Sequence, residues 1–213
     1  MGTTYSLLTY DHGGAPMVFG AEPQIDVAAT DQMVDSLFTG ARFVEESDLG
    51  GHACPDPWMV GAAVFAAGTP DEVAVLASEE VALDRPSVLD QTFLVAARGR
   101  TTRLFTMSSR AAFGAFAAWD ATGTLQRAVS ACGADGILED LGAPLAFEDT
   151  GPDKGEESAT RRDFLDPVGL VERALATTVG FAYGRENNCS AVSPGDIPIR
   201  LYRVGELRTG MRG

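Results

Sequence analysis

The chain is almost without lysine. Lys154 is the only one, and arginine supplies the rest of its 16 positive side chains. Set against 30 acidic residues, they leave a net charge of −14. A surface of that sign repels phosphate backbones, so no nucleic-acid groove is expected. It repels anionic membranes in the same way. Histidine is scarce too. His12 and His52 are the only two, and any imidazole acid–base chemistry near neutral pH must use one of them. Cysteine occurs three times, at Cys54, Cys132 and Cys189. An odd number with irregular spacing is no disulfide framework, and reduced thiols are the plain reading. No apolar run approaches the ~18 residues of a membrane helix. No basic segment followed by an apolar one opens the chain. The expectation from these absences is a soluble, cytoplasmic, acidic protein of a GC-rich bacterial genome.

Three catalytic signatures are also missing. The sequence has no Gly-x-Gly-x-x-Gly, no Walker loop and no Gly-x-Ser-x-Gly elbow. These motifs supply phosphate-cradling backbone amides or an exposed nucleophile. Their absence lowers the expectation of a nucleotide enzyme or a common hydrolase, and no cofactor is expected.

What is present is enough for a core. The 213 residues are 45% hydrophobic, which fits one domain over 1–213. Residues 5–10 read as a strand, and the Asp11-His12-Gly13-Gly14 cluster as a turn with 17–19 returning. Val27, Met33, Val34, Leu37 and Phe38 fall at helical spacing behind Asp26 or Thr30 as cap, and Gly40 ends the helix. Residues 42–44 read as a brief strand and 45–58 as irregular, because Gly50, Gly51, Pro55 and Pro57 oppose regular structure. Strands are expected at 59–67, 72–77 and 103–107. Ser87 is expected to cap a second helix through Val88, Leu89, Phe93, Leu94 and Ala97.

The middle reads most clearly. Residues 113–119 and 125–131 flank Asp120-Ala121-Thr122-Gly123 as an antiparallel hairpin, and 137–141 and 145–147 extend the meander. Residues 149–163 are polar and read as a long mobile loop. Asp166-Pro167 starts a third helix ending near Gly184. Residues 194–204 supply a last strand, read as a half-buried edge, with a frayed tail beyond it. The resulting fold class is α+β. A mainly antiparallel or mixed sheet carries about three helices on one face.

Candidate chemistry concentrates in His52-Ala53-Cys54. Residues two apart in extended chain point to one side, so an imidazole would meet a thiol and lower its pKa, with Asp56 orienting the ring. The alternative is an inert loop histidine and a packed cysteine. Zinc would need four ligands, which this triplet does not supply, so no metal site is expected. Asp84 and Arg85 precede the second helix, either as an ion pair bracing the turn or as an anion site. Glu139 and Asp140 are strand neighbours and face opposite ways. The partner is expected to be a protein or small molecule, and pairing of the C-terminal edge strand across a two-fold axis would give a homodimer.

Several segments together resemble an uncharacterised bacterial family, common in actinobacteria, that carries only a domain-of-unknown-function label. The resemblance rests on Thr4-Tyr5-Ser6-Leu7-Leu8-Thr9-Tyr10, Cys54-Pro55-Asp56-Pro57, and Val81-Ala82-Leu83-Asp84-Arg85-Pro86-Ser87. It is clearest from Phe116 and Trp119 through Gly123, Leu125 and Arg127 to Gly136-Ile137-Leu138-Glu139-Asp140-Leu141-Gly142 and Pro144-Leu145-Ala146-Phe147-Glu148. The helix from Asp166-Pro167 to Phe181 is similar too, whereas the aromatic-rich segment expected after Glu148 is replaced by a polar one. The resemblance implies no activity and no catalytic residues. The reading is a non-catalytic binding or regulatory module, with a small cysteine enzyme using Cys54 and His52 as the alternative.

Overall fold

A computed structural model describes residues 4–13, 23–50, 58–65, 73–97, 99–148, 166–181 and 193–208. Among the described residues, nine strands form one sheet: β1 (Thr4–Asp11), β2 (Arg42–Asp48), β3 (Met59–Phe65), β4 (Val73–Ala77), β5 (Thr101–Ser108), β6 (Phe113–Trp119), β7 (Leu125–Cys132), β8 (Gly136–Gly142) and β9 (Pro198–Arg203). Their spatial order is β2-β9-β3-β4-β1-β5-β6-β7-β8, and every pairing is antiparallel. The α-helices among the described residues are α1 (Val27–Leu37), α2 (Gln91–Ala96) and α3 (Pro167–Thr178).

The α+β expectation is corrected. The fold is dominated by its sheet: 43% of the described residues are strand and 27% helix. The helices also cover both faces instead of one. Strand alternation explains this. Tyr5, Leu7, Phe105, Phe116 and Val129 point to the face that packs α3 through Leu170, Val171 and Leu175. Leu8, Tyr10, Leu104, Ala117 and Ala128 point to the other, against Met33, Val34 and Leu37 of α1 and Phe93 and Leu94 of α2. Each buried Leu, Val, Phe or Met among these contributes roughly 1.5–3 kcal/mol relative to exposure, so neither face can be left open.

Four local readings change as well. Residues 42–48 form a full strand although 45–58 read as irregular. Residues 146–148 are a 3-10 turn where a strand was expected. The second helix starts later than Ser87. A 3-10 turn at Pro86–Val88 ends at Leu89 in extended backbone, and Asp90 then caps α2 by accepting from Thr92 N at 2.8 Å. Ser87 instead donates to Glu139, from N at 3.0 Å and Oγ at 2.5 Å. Finally, β9 is no edge. It lies between β2 and β3 with both sides paired, so it cannot recruit a second copy. The edges are β2 and β8.

The hairpin signal at 113–132 matches β6 and β7. Asp120 Oδ1 accepts from Thr122 N at 2.8 Å, Thr122 Oγ1 at 2.6 Å and Thr124 N at 3.1 Å, and Gly123 takes φ +79°. Asp26, not Thr30, caps α1, accepting from Ala29 N at 2.9 Å. Thr30 accepts from Val64 N at 2.9 Å and donates to Asp26 O at 2.7 Å, which pins the start of α1 to β3.

Candidate functional site

His52, Cys54, Asp56 and the 149–163 segment lie outside the described residues. Asp84 and Arg85 are exposed, and no ion pair joins them. Their turn is braced instead by Ser130 Oγ, which donates to Asp84 O at 2.6 Å. Glu139 and Asp140 do face opposite ways. Glu139 holds Ser87 on the α2 side, and Asp140 accepts from Arg127 on the α3 side at 2.6 Å. Cys132 is a free, half-buried thiol that donates to Ala111 O at 3.6 Å. No group of three or more His, Cys, Asp or Glu among the described residues is placed to hold a metal ion.

Among the described residues Arg127 is the most buried cation, 2% exposed. Its Nε and Nη2 donate to the two oxygens of Glu148 at 2.8 and 2.6 Å, and its Nη1 to Asp140 and to the carbonyls of Leu141 and Gly142. Burial alone would favour the neutral form, but these bonds and the two carboxylate charges outweigh it and hold the guanidinium charged. All three guanidinium nitrogens donate to acceptors of the β8 end and the turn after it, which makes this a structural clip. It ties the 3-10 turn at Ala146–Glu148 to the sheet, where Phe147 packs edge-on to Phe116 with ring centroids 5.1 Å apart.

A different arrangement opens between α1 and α2. A cavity of about 130 Å³ is lined by His12, Ala29, Gln32, Met33, Ser36, Ala96 and Arg100. Ala29, Gln32, Met33 and Ser36 recur at i, i+3, i+4 and i+7, so they form one stripe of α1. Two neighbouring acids are engaged elsewhere: Asp31 accepts from Tyr202 OH at 2.5 Å, and Asp11 pairs with Arg103. Arg100 is 7% exposed and lies 5.3 Å over the Tyr10 ring, with Nε donating to Ala97 O at 2.9 Å. Tyr10 OH donates to Phe93 O at 3.1 Å, fixing α2 against β1. Burial pushes the Tyr10 phenol far above its ordinary range, although the Arg100 charge pulls it back part-way. It stays neutral under Arg100.

The cavity carries two cationic or proton-binding groups, an amide and a hydroxyl, and none of its described lining residues is acidic. In a chain with nearly twice as many acids as bases, that local composition suits an anion. Sequence reading treated His12 only as a turn residue, and nothing along the chain links it to Arg100. The apolar face of α1 was legible through Val27, Met33, Val34, Leu37 and Phe38, but it shares only Met33 with the cavity stripe, and Gln32 and Ser36 carry no signal by themselves.

The chain belongs to a family of unknown function (DUF6928), whose model matches residues 4–202. No curated protein and no solved structure matches it. No described helix is long and apolar enough to cross a membrane.

Proposed function

We propose that the protein is a non-catalytic, cytoplasmic, single-domain binding module, and that the α1–α2 cavity receives a small anion. The observation that carries this reading is the Arg100 guanidinium, held at the cavity over Tyr10 with His12, Gln32 and Ser36 around it and no described acidic lining residue. Guanidinium and imidazole donors match carboxylate and oxyanion acceptors. The cavity of about 130 Å³ has room for phosphate, sulfate or a short carboxylate.

Isothermal titration with inorganic phosphate, sulfate and succinate tests the reading. One of them should bind saturably and weaken with salt, and Arg100→Gln should lower its affinity at least ~10-fold. If none of the three produces saturable heat, or if Arg100→Gln binds as tightly as the parent, the site is not an anion site.

The second reading is thiol chemistry, favoured by the His52-Ala53-Cys54 spacing. It predicts faster alkylation of Cys54 at neutral pH than of a free thiol peptide, and slower alkylation in His52→Ala. Equal rates would remove it.

A further inference from the structure

The lining of the α1–α2 cavity is polar only in part. Ala29 and Met33 of α1 and Ala96, the last residue of α2, belong to the apolar packing on that sheet face, and each also presents surface to the cavity. Ala29 and Met33 stand one turn apart at i and i+4, so they share a side of α1. Ala96 comes from the other helix. Met33 and Arg100 are buried, Ala29 and Ala96 are half-buried, and His12, Gln32 and Ser36 are exposed. One buried guanidinium therefore stands beside apolar surface from two helices. Arg100 is held in place by the bond from its Nε to Ala97 O and by the Tyr10 ring, so a ligand does not have to order it.

Four features narrow the class of anion. The first is charge. Arg100 is the only permanent cation in the described lining, because imidazole is charged only when protonated. The net charge of −14 repels a ligand in proportion to the ligand's own charge. One guanidinium balances one carboxylate, whereas a dianion keeps a charge uncompensated. The second is the supply of donors. Ser36 lines the cavity but already donates its hydroxyl hydrogen to Met33 O at 2.7 Å. A short supply suits the two oxygens of a carboxylate better than the four of phosphate or sulfate. The third is the apolar surface. An inorganic oxyanion is polar on every side and sets oxygens against Ala29, Met33 and Ala96. An alkyl chain covers them, at roughly fourfold in affinity per buried methylene. The fourth is the lack of acid. No described lining residue is acidic, so an ammonium group finds no counter-charge and an amino acid is disfavoured.

We infer that the cavity takes a short-chain monocarboxylate, an alkyl acid of a few carbons, with its carboxylate on Arg100 and its chain against Ala29, Met33 and Ala96. This rests on the anion reading of the same cavity and adds the ligand class.

Isothermal titration of the whole chain, at low salt and about pH 8, compares butyrate with acetate, phosphate, sulfate, succinate, butyramide and 2-aminobutyrate. Butyrate should bind saturably and at least ~10-fold tighter than phosphate, sulfate or succinate. Succinate shares a carboxylate and methylenes with it and should be the tightest of those three. Acetate, two methylenes shorter, should be roughly 10-fold weaker than butyrate. Butyramide, without the charge, and 2-aminobutyrate, with an added ammonium, should give no saturable heat. Ala96→Leu and Ala29→Leu each fill the apolar side and should weaken butyrate ~10-fold, with circular dichroism matching the parent. If phosphate, sulfate or succinate binds as tightly as butyrate, the cavity is an anion site of another class and this inference falls alone. It falls alone too if acetate or 2-aminobutyrate matches butyrate, or if both leucine variants fold and bind butyrate as the parent does. If no anion binds, the anion reading falls with it.

Discussion

The two halves of the sheet are built from similar residues but held by different means. In the half formed by β5, β6, β7 and β8, each strand pairs with the next in the chain, and the turns are short. In the half formed by β4, β3, β9 and β2, the outer pair is closed late. Glu46 and Arg200, which face each other across β2 and β9, are 154 residues apart. Loop closure over that separation must be offset by burial before the pairing is favourable. Each half also carries one arginine cluster. Arg127 in the meander is enclosed, and its partner Glu148 is 5% exposed. Arg200 in the other half reaches carboxylates only at the limit of distance, 3.5 Å to Glu46 and to Asp31, with those partners 73% and 48% exposed. Its Nε donates to Tyr202 OH at 2.9 Å, and it rests on the Phe43 ring at 3.9 Å. The same residue type is therefore a fixed clip in one half and a packed, solvent-screened side chain in the other.

The sharpest way to test that contrast is to remove each arginine. Arg127→Ala leaves Glu148 buried without its counter-charge and should lose about 3–5 kcal/mol in urea unfolding. A loss below ~1 kcal/mol would make the two clusters equivalent and break the comparison. Gly114→Ala tests how closely α3 seats on the meander. An added Cβ would stand 1.9 Å from Pro167 O, a backbone atom that cannot step aside. The expected loss is about 1–3 kcal/mol by overpacking, read in the same unfolding experiment. Arg200→Ala should cost only about 1 kcal/mol, and added salt should change the difference little because ring packing and the hydrogen bond to Tyr202 supply most of it.

Two pH effects follow, both smaller in the neutral range. Burial pushes the phenols of Tyr5, Tyr10 and Tyr202 above their ordinary range; for Tyr202 the hydrogen bond donated to Asp31 adds to it, against an opposing bond from Arg200. A raised phenol pKa favours the native, protonated form. Its contribution is complete below the unfolded value of about 10 and is lost as pH rises beyond it. Absorbance at 295 nm should show these phenols ionising together with unfolding, not before it. A separate early ionisation of all three in the native state would contradict their burial. At the acid end, hydrogen bonds from the Thr122 hydroxyl, then the Thr124 and other turn donors, hold Asp120 below the usual carboxylate range. Its contribution is present above about pH 4 and is lost as pH falls through the lowered value. Carboxyl NMR shifts of Asp120 should titrate below those of a free aspartate, marking the β6–β7 turn as locally stabilised.

How much was legible follows the same division. The meander could be read because hairpins write themselves in adjacent residues: Asp120 to Gly123 specify the turn, and alternation on both sides specifies the strands. Residues 42–48 could not be read as an edge strand, nor 198–203 as an internal one, because each depends on the other. The candidate site was less legible than the fold. His12, Gln32, Ser36 and Arg100 come from a strand end, a helix and a loop. The residues favoured by spacing, His52, Cys54 and Asp56, fall outside the described residues, and Asp84 and Arg85 mark a turn.

By itself, then, the sequence settled the acidic character of the chain, the β6–β7 turn, the helix start at Asp166-Pro167, and which residues are apolar enough to be buried. Those properties depend on neighbours within a few positions. The three-dimensional structure alone decided that the sheet dominates, that helices cover both its faces, which strands form its edges, and which arginines find carboxylates. Each of these depends on pairing between distant segments, where the energy lies in contacts that no local stretch of chain can encode.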